Sequence, residues 1–127
     1  LAPKEKLYVP QDESQDRPTV ENQMKDENSL WKEVQKLIKV RQETPLLQNL
    51  AEIEFLSDGS TYPLIYQRIE KSTQEKITVI LNPSEKECSY KITDGQIICS
   101  NSPKAQIDKK DGKIFVPPVS YAIVKNQ

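Results

Sequence analysis

Acid–base chemistry in this chain would fall to carboxylates, because its 127 residues include nineteen aspartates and glutamates and no histidine. Hydrolysis by paired carboxyl groups, as in glycoside cleavage, needs two of them across a cleft. Asp58, Asp94 and Asp111 each precede one of the three glycines, Gly59, Gly95 and Gly112. Asp-Gly supplies the positive φ of a tight hairpin turn, and that turn role accounts for all three aspartates. Glu52 and Glu54 alternate with Ile53 and Phe55, which places them on the solvent face of a half-buried strand. For all five the structural role outweighs a catalytic one. Two cysteines, Cys88 and Cys99, cannot supply a zinc site alone, and each glycine stands by itself, so there is no phosphate-cradling loop. No catalytic, metal-binding or cofactor-binding residue is expected.

The cysteines flank an expected hairpin. They would face each other if its turn were centred on Thr93 and Asp94, and fall out of register with the more favoured Asp94-Gly95 turn. Two half-buried thiols are expected over a disulfide, which leaves the compartment open.

Aromatic rings are the remaining residues that could do recognition, since an exposed ring offers a flat apolar face with a polar tip. For Tyr66 and Tyr121, both in alternating stretches, packing is the better reading. Tyr62, beside Pro63, is the candidate sugar-stacking platform, with Trp31 as the second; Trp31 sits just off a helical stripe, where covering an interdomain contact is the more ordinary role.

Charge narrows the partners. Eighteen basic and nineteen acidic residues leave a net charge of −1, with no basic block to track a phosphate backbone, so nucleic acid is not an expected partner. No apolar run approaches the roughly 18 residues of a membrane span, and the N-terminus lacks a signal-peptide pattern, so no membrane is expected either. The sequence starts at Leu1 rather than Met, which suggests a piece of a longer protein.

One amphipathic helix must position these residues. Within Ser29 to Leu47, apolar positions fall at Leu30, Val34, Leu37 and Ile38, with the stem of Arg41 extending the stripe. Asn28 or Ser29 can cap its start, and Pro45 should end it near Glu43. Residues 1–28 carry three prolines and scattered apolar anchors, Leu7, Tyr8, Val9, Val20 and Met24, and read as an irregular arm. After Ala51 come short strands: Ile53 and Phe55 inward on the first, Leu64 to Ile69, a nearly continuous apolar run at Lys76 to Leu81 that reads as a central strand covered on both faces, then Cys88 to Ile92, Gln96 to Ser100, Lys104 to Ile107, Lys113 to Val116 and Val119 to Val124. Three Asp-Gly turns among seven or eight such strands indicate an antiparallel sandwich or barrel.

In this order the elements resemble a known family. Ser29-Leu30, Lys36-Leu37-Ile38-Lys39-Val40-Arg41 and Thr44-Pro45-Leu46-Leu47 are similar to the "Ser-Leu, Leu-Ile-x-Leu-Arg, Pro-Ala-Leu" segment of α-amylase-family glycoside hydrolases, which include oligo-glucosidases and trehalose synthases. Arg17-Pro18-Thr19-Val20-Glu21-Asn22-Gln23 resembles that family's "Asn-Val-x-x-Gln" stretch, with Thr19 in place of Asn. Tyr66-Gln67-Arg68, Ile77-Thr78-Val79-Ile80-Leu81-Asn82-Pro83-Ser84 and Gly112-Lys113-Ile114-Phe115-Val116-Pro117-Pro118 resemble "Tyr-x-Arg", "Val-Val-Leu-Asn-x-Ser" and "Gly-x-Ile-x-Leu-x-Pro" of its C-terminal sandwich.

The resemblance implies a mainly β fold: an antiparallel Greek-key β-sandwich of seven or eight strands, preceded by one α-helix and an irregular N-terminal arm. Residues 1–47 would be the arm and last helix of a truncated (β/α)8 catalytic barrel, and residues 48–127 the C-terminal β-sandwich domain. The family's catalytic aspartate, glutamate and second aspartate would lie upstream of Leu1, so the parent would be an enzyme and this part would carry none of its catalytic residues. Its partner would be the catalytic barrel of the same parent chain, which it would stabilise. The rival function is a carbohydrate-binding module for α-glucan, using Tyr62 or Trp31, and a third is a structural sandwich unrelated to sugars. In isolation the stripe Leu30, Val34, Leu37 and Ile38 should be buried against the sandwich or, in a homodimer, against a second copy through the helix.

Overall fold

A computed structural model describes residues 3–6, 8–10, 12–48, 50–92 and 94–126; Leu7 and Thr93, both used in the sequence reading, lie outside them. The chain forms two compact units, residues 1–35 and 36–127. In the first, a short helix α1, Val20–Lys25, interrupts the expected irregular arm. Thr19 caps it, its Oγ1 accepting the Asn22 N–H at 3.2 Å, and no residue of it is buried. Helix α2 runs Leu30–Glu43. Of the two candidate caps it uses Ser29, whose Oγ accepts the Lys32 N–H at 3.2 Å and donates to the Gln23 carbonyl at 2.6 Å. The Gln23 side-chain oxygen accepts the Trp31 N–H at 3.0 Å, so a second orphan donor of the first turn is satisfied. The helix stops at Glu43, two residues before Pro45, which begins a 3-10 turn over Pro45–Leu47.

The second unit holds eight strands: β1 Glu52–Phe55, β2 Leu64–Ile69, β3 Lys76–Asn82, β4 Cys88–Lys91, β5 Gln96–Ser100, β6 Gln106–Asp108, β7 Lys113–Val116 and β8 Ser120–Lys125. They form a five-stranded sheet in the order β1-β2-β3-β8-β5 and a three-stranded sheet β4-β7-β6, with every pairing antiparallel. The chain changes sheet after β3, β4, β5 and β7. This is a β-sandwich, as expected.

Strand parity explains the two apolar layers. Ile65, Ile80, Ala122 and Val124 of the large sheet meet Ile114 and Val116 of the small one in the sandwich core. The alternate residues Ile77, Val79 and Ile123 face the other way, where Leu46 and the partly buried Leu37 and Val40 of α2 pack on them. Thus β3 is covered on both sides, as its apolar run indicates. On β5 the ladder slips between Ile97 and Cys99; this bulge turns both Ile98 and Cys99 to the helix side while Ile97 stays in the sandwich core.

Three expectations are corrected. First, the stretch around Asp94-Gly95 is no hairpin, because β4 pairs with β7 and β5 with β8. Cys88 and Cys99 therefore belong to different sheets and different apolar layers, and both thiols are free. The glycine serves a crossover: at φ +137° a Cβ would stand 2.7 Å from Val124 Cγ1 and 3.0 Å from the Lys125 carbonyl oxygen, so only glycine lets the chain pass this close to β8. The β1–β2 and β6–β7 connections, with Gly59 and Gly112, are hairpins. Second, β1 is exposed along its whole length, Ile53 and Phe55 included, because it is the outermost strand of the large sheet. Third, Leu30, Val34 and Ile38 are exposed. In the second unit the helix packs through Leu37 and Val40.

Candidate functional site

Asp58 and Asp111 lie in the β1–β2 and β6–β7 hairpin connections and Glu52 and Glu54 on the exposed β1, whereas Asp94 lies in a crossover and not in the expected hairpin turn. Asp58 Oδ1 accepts the Ser60 N–H at 2.9 Å and the Ser60 hydroxyl at 2.8 Å, and these two donors hold its pKa below the usual carboxylate value. A general acid needs the opposite shift. Glu52 is ion-paired with Lys71, which raises the lysine's pKa through that hydrogen bond and charge. Asp111 follows Asp108, whose Oδ1 accepts the Lys110 N–H at 2.8 Å and the Asp111 N–H at 3.3 Å in the β6–β7 turn. Among the described residues no three His, Cys, Asp or Glu side chains gather in a metal-binding group. No described helix is long and apolar enough to cross a membrane. Burial pushes the Cys88 thiol up, away from thiolate chemistry.

The aromatic residues divide by exposure. Tyr62 is 67% exposed, as a stacking platform requires. Trp31 is half-buried in the first unit, with the Lys32 ammonium 5.7 Å from its ring centroid. Tyr66 and Tyr121 pack on the helix-side layer and Tyr90 on the sandwich core, consistent with packing roles. Phe55 lies across from Tyr66 in the β1–β2 ladder, with ring centroids 6.1 Å apart, yet remains 60% exposed.

Two features were not picked out from the sequence. One is an internal amide clamp at Asn82, which is 1% exposed. Its Nδ2 donates to the carbonyls of Lys86 at 2.8 Å, Val116 at 3.1 Å and Pro117 at 2.8 Å, while Oδ1 accepts the Ser84 hydroxyl at 2.7 Å. A buried amide needs such partners, and this one ties the end of β3 to the end of β7. The motif around it, Asn82-Pro83-Ser84, carries the signal. The other is a polar cleft of about 670 Å³ where β2 turns into β3, lined by Gln67, Gln74, Gln96 and Asn126 among others. No sequence signal marks it, because its residues come from separate segments.

No family model matches this sequence, and no curated protein matches it. The likeness is to solved structures. Over 95% of this chain, Eubacterium rectale Amy13B has a TM-score of 0.74 at 24% identity, covering 24% of that protein. Isomaltulose synthase from Erwinia rhapontici NX5 gives 0.73 at 22% identity over 85% of this chain and 20% of the synthase. The alpha-amylase from H. orenii gives 0.70 at 17% identity over 86% of this chain and 22% of the amylase. At these identities the similarity is one of fold, and the chain spans between a fifth and a quarter of each protein's length.

Proposed function

We propose that this chain is the non-catalytic C-terminal portion of an α-amylase-type glycoside hydrolase or glucosyltransferase acting on α-glucosidic bonds, and that it stabilises the catalytic barrel of the same parent chain. In this reading residues 1–47 are the arm and last helix of the barrel, and residues 48–127 the sandwich. The observation that carries it is helix α2. Leu37 and Val40 seat the helix on the large sheet, while Leu30, Val34 and Ile38, spaced i, i+4, i+8, remain exposed, a second apolar face suited to a second body. The fold likeness to Amy13B and the two other enzymes, each several times longer, supports it.

The test is a charge placed on that face. Ile38→Glu should leave the unfolding midpoint of the isolated chain almost unchanged and lower that of the parent enzyme by several degrees. Equal effects on both would remove the proposal, as would an upstream coding sequence without a barrel. Cleavage of an α-glucoside by the isolated chain would overturn the non-catalytic assignment. The exposure of Tyr62 favours a second reading, a binding module for α-glucan. Calorimetric titration with a maltooligosaccharide separates the two: saturable heat that vanishes in Tyr62→Ala would favour the module.

A further inference from the structure

The cleft at the β2–β3 end of the large sheet is built from groups that hydrogen-bond in both directions. Gln67, Gln74, Gln96 and Asn126 contribute four carboxamides, each of which can donate and accept. Two are pre-aligned by Thr78, a residue 1% exposed. The Gln67 Nε2 donates to Thr78 Oγ1 at 3.0 Å, and that hydroxyl donates to Asn126 Oδ1 at 2.9 Å. The relay uses one N–H of Gln67 and the carbonyl oxygen of Asn126. The second N–H and Oε1 of Gln67 and the Nδ2 of Asn126 are left for the cleft, the last touching the Asp94 carbonyl only at 3.4 Å. A smaller space of about 260 Å³ shares Gln67 and Asn126 with this cleft and adds Thr78 and Tyr90.

Charge points the same way. Glu75 and Asp94 are balanced by Lys76 and Lys125 on the same walls, so the cleft favours neither anions nor cations. Gln74 holds a left-handed backbone, φ +60°, a conformation costly for a residue other than glycine or asparagine. It is fixed there by its N–H to the Glu70 carbonyl and its Nε2 to the Lys71 carbonyl, both at 2.8 Å. That conformation closes the β2–β3 turn, in which the Glu70 N–H also donates to the Glu75 carbonyl at 3.0 Å.

We infer that this cleft is a binding site for a neutral, hydroxyl-rich molecule, a short saccharide, whose adjacent hydroxyls are received by the side-by-side amides of Gln67 and Asn126. The inference does not depend on a barrel, and the site is distinct from Tyr62. The whole 127-residue chain, labelled with nitrogen-15, is titrated with maltotriose, sucrose and cellotriose, with inorganic phosphate as the charged control. At least one saccharide should shift the side-chain amide resonances of Gln67, Gln96 and Asn126 at millimolar concentration, and phosphate should shift none of them. Thr78→Val, which keeps shape and removes the relay, should weaken binding several-fold, and Gln96→Ala on the exposed rim should weaken it without touching the fold. Tyr62→Ala should leave it unchanged. Silence of these amides with all three saccharides, equal shifts with phosphate, or loss of binding in Tyr62→Ala would each overturn the inference.

Discussion

Strands β3 and β1 lie in one sheet with a single strand between them, and they meet opposite fates. Ile77 and Val79 of β3 are closed off by the helix-side layer, and Ile80 by the small sheet. Ile53 and Phe55 of β1, just as apolar, are exposed. The difference lies in cover: the three-stranded sheet and one helix cannot reach across a five-stranded sheet, and the outermost strand goes bare. Alternation in sequence says which side chains share a face. It does not say that anything lies on that face.

The contrast is tested most strongly by truncation. Ile80→Ala should cost about 2–5 kcal/mol, whereas Ile53→Ala should stay within about 0.5 kcal/mol; urea unfolding of both variants measures the gap, and similar losses would mean that β1 is covered after all. Next comes the polar end of β3. Asn82→Ala strands at least one buried carbonyl and should cost roughly 3 kcal/mol, read by the same titration.

Two glycines extend the comparison to the connections. Gly95→Ala meets both a forbidden φ and Val124 and should cost about 2–3 kcal/mol. Gly59, at φ +76° in the β1–β2 hairpin, has nothing within 4 Å of a Cβ, so Gly59→Ala should cost only about 1 kcal/mol. Thermal unfolding of the pair decides whether the close approach or the dihedral dominates.

The smallest effect belongs to the loop beside β1. The folded pKa of Asp58 is lowered from 3.8, so its contribution to stability is present above that value and fades as pH falls through the lowered one. Asp58→Asn should therefore lower stability slightly at neutral pH and flatten the acid limb, the two proteins converging at low pH. An unchanged acid limb in Asp58→Asn would show that the carboxylate charge contributes nothing there.

Legibility followed the range of the interaction. A cap at Asn28 or Ser29 and Pro45 as stop were readable because both act within one turn of helix; the structure chose Ser29. The central place of β3 was readable because only a strand covered on both faces can carry four consecutive apolar or β-branched residues inward and outward alike. The Asp-Gly rule succeeded at Gly59 and Gly112 and failed at Gly95, where the same dipeptide serves a crossover. A turn signal reports a positive φ, and it is silent about which sheet the next strand joins. The polar cleft was invisible for a related reason: Gln67, Gln96 and Asn126 are ordinary surface residues until β2, β5 and β8 bring them to one end of a sheet.

By itself the sequence determined most of the inventory: a capped helix ending before Pro45, seven or eight short strands, three positive-φ glycines and a set of carboxylates committed to turns and edges, but not the short helix Val20–Lys25. Those are local properties, set by backbone sterics and by hydrogen bonds between near neighbours. Only the tertiary structure decided that Cys88 and Cys99 lie in separate layers, that α2 docks through Leu37 and Val40 while Ile38 stays exposed, and that Thr78 joins Gln67 to Asn126. Each of these depends on strand order, and strand order is chosen by the burial of the whole sheet rather than by any one segment.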